Sequence, residues 1–224
     1  MDNQEDLFTT GDQSGARRKL ALGRSLSVFT MSAHLPLGQF VQLVEQAGGP
    51  YIVDTRLHRT GRHVGFAHER DVEYVLSELD FRYTYLPELA PTDGLRNALA
   101  SAELNKSGTV EQRMAAWEKF LLGYINLVFR ERRVLTKGHR FRQLLESSER
   151  GVVFLCACAH PEDCHRHALA GVLGQVIEGA TVTHLDERLL GGKEPTRKTP
   201  RRFLAQPIPI AGIAARLPRN WRQS

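Results

Sequence analysis

Short apolar runs of β character alternate with helical stripes along most of this chain, and that alternation limits the folds open to it. Leu26 to Met31 reads as a first strand, and Gly38 to Gln46 as a helix through Phe40, Val41 and Val44. Tyr51 to Val53 is a second strand. His68 to Leu79 is helical, with Val72, Val75, Leu76 and Leu79 on its inner face. Arg82 to Leu86 is a third strand, halted by Pro87. A longer helix follows, its stripe made by Met114, Trp117, Leu121, Tyr124, Ile125 and Val128, and another covers His139 to Ser147. Gly151 to Cys156, Asp163 to Ile177 and Thr181 to His184 complete the series as strand, helix and strand. Strands separated by helices of this length join through right-handed crossovers. The expected fold is therefore α/β, a single domain with a mostly parallel sheet of about five strands flanked by helices.

Outside this pattern the chain changes character. Residues 1–23 are polar and without periodicity, an expected disordered tail; the α/β domain spans 24–190, and 191–224 form a basic tail containing Pro and Arg. The stretch from Ala90 to Thr109 is polar and contains glycine, and is expected as a mobile flap. A length of 224 residues with 42% hydrophobic and 25% charged content describes an ordinary globular protein. No apolar run is long enough to cross a bilayer, and the polar, acidic start has no secretory signal, so a cytoplasmic, reducing location is expected. The net charge of +5 permits nucleic-acid contact without requiring it, because much of the excess lies in Arg17, Arg18, Lys19, Arg197, Lys198, Arg201 and Arg202 near the ends.

All three cysteines fall within nine residues, in the block Phe154-Leu155-Cys156-Ala157-Cys158-Ala159-His160-Pro161-Glu162-Asp163-Cys164-His165-Arg166-His167. The block joins an apolar strand to a helix whose Ala168, Leu169, Val172, Leu173 and Val176 form one face, so thiols, imidazoles and an arginine occupy a strand-to-helix turn. Cys156 and Cys158 are two apart and share a side of an extended strand. With Asp163 as N-cap, Cys164, His165 and Arg166 lie in the first helical turn, where free N–H groups favour anions and would lower the Cys164 pKa. Arg166 would offer a planar fork to phosphate or carboxylate. Three readings stay open. One is a catalytic anion site with Arg166 as clamp and Cys164 or His165 as nucleophile or acid–base group. Another is a zinc site of Cys156, Cys158, Cys164 and either His160 or His165. In the third, Cys156 is a small buried hydrophobe of the core strand.

Ligands of parallel sheets bind outside the carboxyl ends of the strands. Three such ends carry polar groups: Asp54 and Arg56 after the second strand, Glu88 after the third, and the cysteine block after the fourth. Asp54 and Glu88 can equally cap the loops that follow them or pair with Arg56.

From Ser27 to Asp186 the chain resembles the domain-of-unknown-function 488 family, by Phe29-Thr30-Met31-Ser32-Ala33-His34, Asp54-Thr55-Arg56, Tyr83-Thr84-Tyr85-Leu86-Pro87-Glu88-Leu89, and Cys156 with Cys164-His165-Arg166. The last set matches the signature C-x-E-x5-C-H-R in residue and spacing. Two positions depart: Cys158 stands for the signature's glutamate, and Ala90 for the glycine after P-E-L. A C-x-C turn is similar to that of a related uncharacterised family with a C-W-C…C-H-G signature. The resemblance implies a small parallel α/β domain with a site at this turn, and it puts an acid–base role at position 158 in question. At the other end, Gln4-Glu5-Asp6-Leu7-Phe8 resembles the bacterial sliding-clamp-binding pentapeptide, with Leu7 and Phe8 entering an apolar pocket and Gln4 fixing register.

Together these readings lead to an expected enzyme, a hydrolase or transferase acting on a phosphate-bearing nucleotide or nucleic acid, in DNA repair or replication. Asp54, Glu88, Cys158, Cys164 and His165 are its expected catalytic groups and Arg56 and Arg166 its anion-binding groups. The alternative is a zinc-stabilised, non-enzymatic adaptor for DNA or the sliding clamp, with Cys156, Cys158, Cys164 and His165 on the metal.

Overall fold

The computed structural model describes residues 19–61, 64–104, 109–158 and 164–191. Its centre is a five-stranded sheet in the order β3-β2-β4-β1-β5, where β1 is Leu26–Ser32, β2 Tyr51–Asp54, β3 Tyr83–Tyr85, β4 Val152–Cys156 and β5 Ala180–Leu185. Every strand pairing is parallel. β4 lies between β2 and β1 and is buried along its whole length. That burial requires an unbroken apolar run, which Val152-Val153-Phe154-Leu155 supplies. Gly151, at φ +86°, makes the turn into β4; a Cβ there would sit 2.3 Å from the Ser27 carbonyl oxygen.

Helices cover both faces. On one face Phe40, Leu43 and Val44 of α1 (Leu37–Gln46) and Val72 and Leu76 of α2 (Val72–Glu78) pack on Met31, Ile52, Val153 and Leu155. The other face carries α3 (Asp93–Leu104), α4 (Val110–Ile125), α5 (Arg140–Ser147) and α6 (His165–Val176), packed on Val28, Val53, Val152 and Phe154. Thr109 starts α4 with a reciprocal capping box to Gln112. Trp117, Phe120 and Tyr124 then stack in series along it, with centroids 5.2 and 6.3 Å apart. A single π turn, Asn126–Glu131, ends this helix.

The expected α/β class, with a parallel sheet of five strands flanked by helices, holds, but two segments differ from expectation. The stretch from Ala90 to Thr109 is not a flap across its length, because Asp93–Leu104 is α3. Leu95 and Leu99 pack on the core, and Gly123 of α4 lets the pair approach closely: a Cβ there would meet Leu95 Cδ2 at 2.8 Å. Three leucines in a polar, alanine-rich run are a thin apolar signal, and the face becomes visible only against α4. Packing on the domain also extends before residue 24, since Leu20 bridges to Ile177 and Leu20 and Leu22 both pack on the core. No helix among the described residues is long and apolar enough to cross a membrane.

Candidate functional site

Because all five strands run the same way, β1, β2, β3 and β4 deliver Ser32, Asp54, Tyr85 and Cys156 to one edge of the sheet. Backbone bonds fasten those ends together: Thr55 N–H donates to the Leu155 carbonyl at 3.0 Å, and Ala33 N–H to that of Cys156 at 2.8 Å.

The end of β2 is an ion pair removed from water. Asp54 is fully buried and Arg56 is 2% exposed. The guanidinium meets the carboxylate with two donors, Nε to Oδ1 at 2.8 Å and Nη2 to Oδ2 at 2.5 Å, and the Arg56 backbone N–H adds a bond of 3.1 Å. Tyr83, from the neighbouring strand, donates its hydroxyl to Oδ2 at 2.8 Å. Burial and the Asp54 charge both push the Tyr83 phenol upward. For Arg56, burial opposes the charge but the Asp54 bonds outweigh it, so the guanidinium is held more firmly protonated. Arg59 bonds the Tyr83 hydroxyl at 3.1 Å and Glu73 at 2.9 Å, and stacks on the Tyr85 ring at 4.0 Å. A groove of about 460 Å³ opens beside Arg82, Tyr83 and Tyr85, so this network reaches the outer edge of the sheet.

The end of β4 gathers sulfur around one imidazole. Cys156 Sγ lies 3.7 Å from Cys158 Sγ and 3.9 Å from His165 Nδ1, and Cys164 Sγ lies 3.7 Å from the same nitrogen. The other ring nitrogen, Nε2, is 3.2 Å from both Oγ1 and the carbonyl of Thr55. Thr55 is the residue between Asp54 and Arg56, and alternation along an extended chain turns it away from the ion pair and toward His165. The two strand ends are thereby tied together. Tyr124 of α4 sets its ring edge-on to the imidazole at 5.3 Å and donates its hydroxyl to the Leu89 carbonyl at 2.7 Å. Arg166 closes the turn: its Nη1 reaches the carbonyls of Cys158 at 2.6 Å and Cys156 at 3.4 Å, and Cys164 Sγ at 3.7 Å.

These contacts decide how the thiols behave. Cys156 is drawn well below the ordinary thiol range by the neighbouring Cys158 and Cys164, with His165 adding to the effect against burial. Cys158 is driven up by the same neighbours. Cys164 is pushed up to about 12, first by burial. The helix-start argument for a low pKa at Cys164 is overturned here. Cys164 is itself the N-cap of α6, in an extended conformation, with its side chain making no cap bond and the residue 1% exposed. Desolvation of the thiolate exceeds what one helix end supplies.

The remaining expected groups fall out as follows. Glu88 grips Arg140 with both carboxylate oxygens, while Arg132 braces the Glu88 and Ala90 carbonyls, so the Glu88 side chain is engaged away from the sulfur turn. His167, the last imidazole of the block, turns to His184, 3.2 Å away on β5. Gln4, Leu7, Phe8, His160 and Asp163 lie outside the described residues. Thr55, Tyr83 and Tyr124 escaped the sequence reading as site residues. The signal for Thr55 was its place between two polar strand-end groups. For Tyr83 and Tyr124 it was a phenol on a core-facing position, whose hydroxyl must find a partner. Among the described residues, Cys156, Cys164 and His165 are the group able to hold a metal ion, their ligand atoms all within 4.8 Å of one another.

A parallel α/β domain with a thiol-rich turn at the carboxyl edge of its sheet is the class this architecture defines. The chain belongs to the family described as domain of unknown function DUF488, whose model matches residues 36–173, more than half its length and every site residue from Asp54 to Arg166. No curated protein and no solved structure matches it.

Proposed function

We propose that this is an enzyme acting by hydrolysis or group transfer on a phosphate-bearing nucleotide or nucleic acid, in DNA repair or replication. One observation carries the reading. At the edge where parallel sheets bind ligands, Arg56 Nη1 and Arg166 Nε are both buried without a hydrogen-bond partner among the described residues. Buried guanidinium donors are seldom left unpaired, and an anionic phosphate oxygen satisfies them well. In this reading Asp54, already bonded by Arg56 and Tyr83, positions Arg56. The chemistry then falls to His165, Cys158 and Cys164. A cytoplasmic setting keeps these thiols reduced. Calorimetric titration with a panel of nucleotides and short single- and double-stranded oligonucleotides tests the idea. Binding by the wild type that is lost in Arg56→Lys, with the fold retained, is the expected result. No binding by the wild type to any phosphate-bearing ligand rejects it.

A second reading, a zinc-stabilised, non-enzymatic adaptor for DNA or the sliding clamp, is favoured by how closed the cluster is: Cys156, Cys164 and His165 are only 5%, 1% and 6% exposed. Here the turn builds shape, and Gln4, Leu7 and Phe8 supply the contact to the clamp. Clamp capture by the full chain that disappears in the Leu7→Ala, Phe8→Ala double variant supports this reading. Undiminished capture removes the peptide from it.

A further inference from the structure

We propose that Cys156, Cys158, Cys164 and His165 together bind one zinc ion in a closed tetrahedral site, an inference that rests on the adaptor reading and leaves Cys158, Cys164 and His165 no catalytic part. The spacing of the donor atoms is the first ground. With zinc–sulfur bonds near 2.3 Å and zinc–nitrogen bonds near 2.0 Å, a tetrahedral site has sulfur–sulfur edges of about 3.8 Å and sulfur–nitrogen edges of about 3.5 Å. The observed edges are 3.7 Å for Cys156–Cys158, 3.7 Å for Cys164–His165 Nδ1 and 3.9 Å for Cys156–His165 Nδ1. Cys158 Sγ lies against the Cys156 sulfur. Cys156, Cys164 and His165 thus surround one point, their donor atoms within 4.8 Å of one another, and Cys158 stands beside Cys156 as the fourth donor.

The imidazole is the second ground. A metal-bound histidine donates its other ring N–H to a carbonyl or similar acceptor, which fixes the tautomer. His165 Nε2 sits 3.2 Å from the Thr55 carbonyl oxygen, and a proton held there leaves Nδ1 with a bare lone pair facing two sulfurs.

Charge is the third. Arg166 is 1% exposed and, among the described residues, touches two carbonyl oxygens and one sulfur, with no carboxylate. A cation this deep needs an anionic partner. When zinc enters, three S–H bonds break, three protons pass to solvent, three Zn–S bonds form, and Nδ1 gives its lone pair. Three thiolates and a divalent cation carry a net charge of −1, which the guanidinium balances. Sulfur and imidazole donors select zinc over magnesium or calcium, whose ligands are oxygens.

Metal analysis of the purified full-length protein is the test, together with the visible and near-ultraviolet spectrum after cobalt(II) exchange. One zinc per chain and the charge-transfer bands of a tetrahedral cobalt–thiolate centre are expected. Less than half an equivalent of zinc, with no such bands after cobalt loading, overturns the site. Cys156→Ser and Cys164→Ser alter buried positions and can fail to fold, so two milder variants are measured as well. Cys158→Ser, at the least buried ligand, should shift the cobalt spectrum; an unchanged spectrum would remove Cys158 from the coordination set. Thr55→Val keeps the carbonyl but loses the hydroxyl beside Nε2. With that carbonyl in place, zinc affinity measured in competition with a chromophoric chelator should stay within about threefold of wild type, and a tenfold or larger loss would reject the Thr55 carbonyl as the acceptor that fixes the ligand.

Discussion

Arg56 and Arg166 are both buried at the carboxyl edge of the sheet, yet their surroundings are opposite. Arg56 meets a carboxylate two residues away, through two guanidinium bonds and one from the backbone. Arg166 meets carbonyl oxygens and sulfur. The β2 charge pair is therefore balanced within the chain, although Arg56 Nη1 keeps a spare donor, whereas among the described residues Arg166 meets no carboxylate and the proposed zinc–thiolate centre would supply its counter-charge. A buried guanidinium reports, through its partners, whether its site is finished.

The largest effect should come from removing the proposed zinc. Structural zinc commonly contributes on the order of 10 kcal/mol of apparent binding energy. Chelation should therefore lower the melting temperature by well over 10 °C, since 1 kcal/mol moves a domain of this size by roughly 2–4 °C. Circular-dichroism melts with and without chelator measure it, and overlapping curves would erase the contrast between the two strand ends.

Next is Asp54→Ala, which strands the Arg56 charge and should cost about 3–5 kcal/mol in denaturant unfolding. Adding Arg56→Met should recover a large part of that loss. A single-variant cost under about 1 kcal/mol would mean that the β2 pair is not the self-contained unit described.

A smaller change is expected from Tyr83→Phe, about 1–2 kcal/mol at neutral pH, because Asp54 loses one donor of four. The same residue sets an alkaline limit. Its folded pKa is raised above the unfolded value of about 10, so the neutral phenol is the stabilised form. Its contribution is complete below pH ~10 and fades as pH rises through the folded value. Stability–pH profiles should show the wild type falling above pH ~10 and Tyr83→Phe falling less steeply.

Smallest is Glu88→Ala. Its partner Arg140 is 60% exposed, so the loss should stay below about 1 kcal/mol and vanish in high salt. A larger loss would show that the β3 end is electrostatically coupled to the other two.

Much of this architecture was legible in the chain. The buried run Val152 to Leu155 and the stripe from Ala168 to Val176 placed β4 and α6 correctly, because apolar periodicity reports burial directly. Asp54, Arg56 and the cysteine turn could be set on one edge once the strands were taken as parallel. What was not legible depends on contacts between distant segments. Thr55 becomes the support of His165 only when β2 pairs with β4, and Glu88 is taken by Arg140 from a helix begun more than fifty residues later. The Cys164 expectation failed for a related reason. A helix start is local, but the desolvation that outweighs it comes from the packed core.

Tyr124 has a mechanical consequence. One phenol contacts the imidazole through its ring edge and the Leu89 backbone through its hydroxyl, from a helix that α3 flanks. Any push on the α3–α4 hairpin that rotates this helix must displace the ring, and the ring cannot move without nudging His165. A molecule gripping the outside of that hairpin would thus be felt at the sulfur turn without ever approaching it.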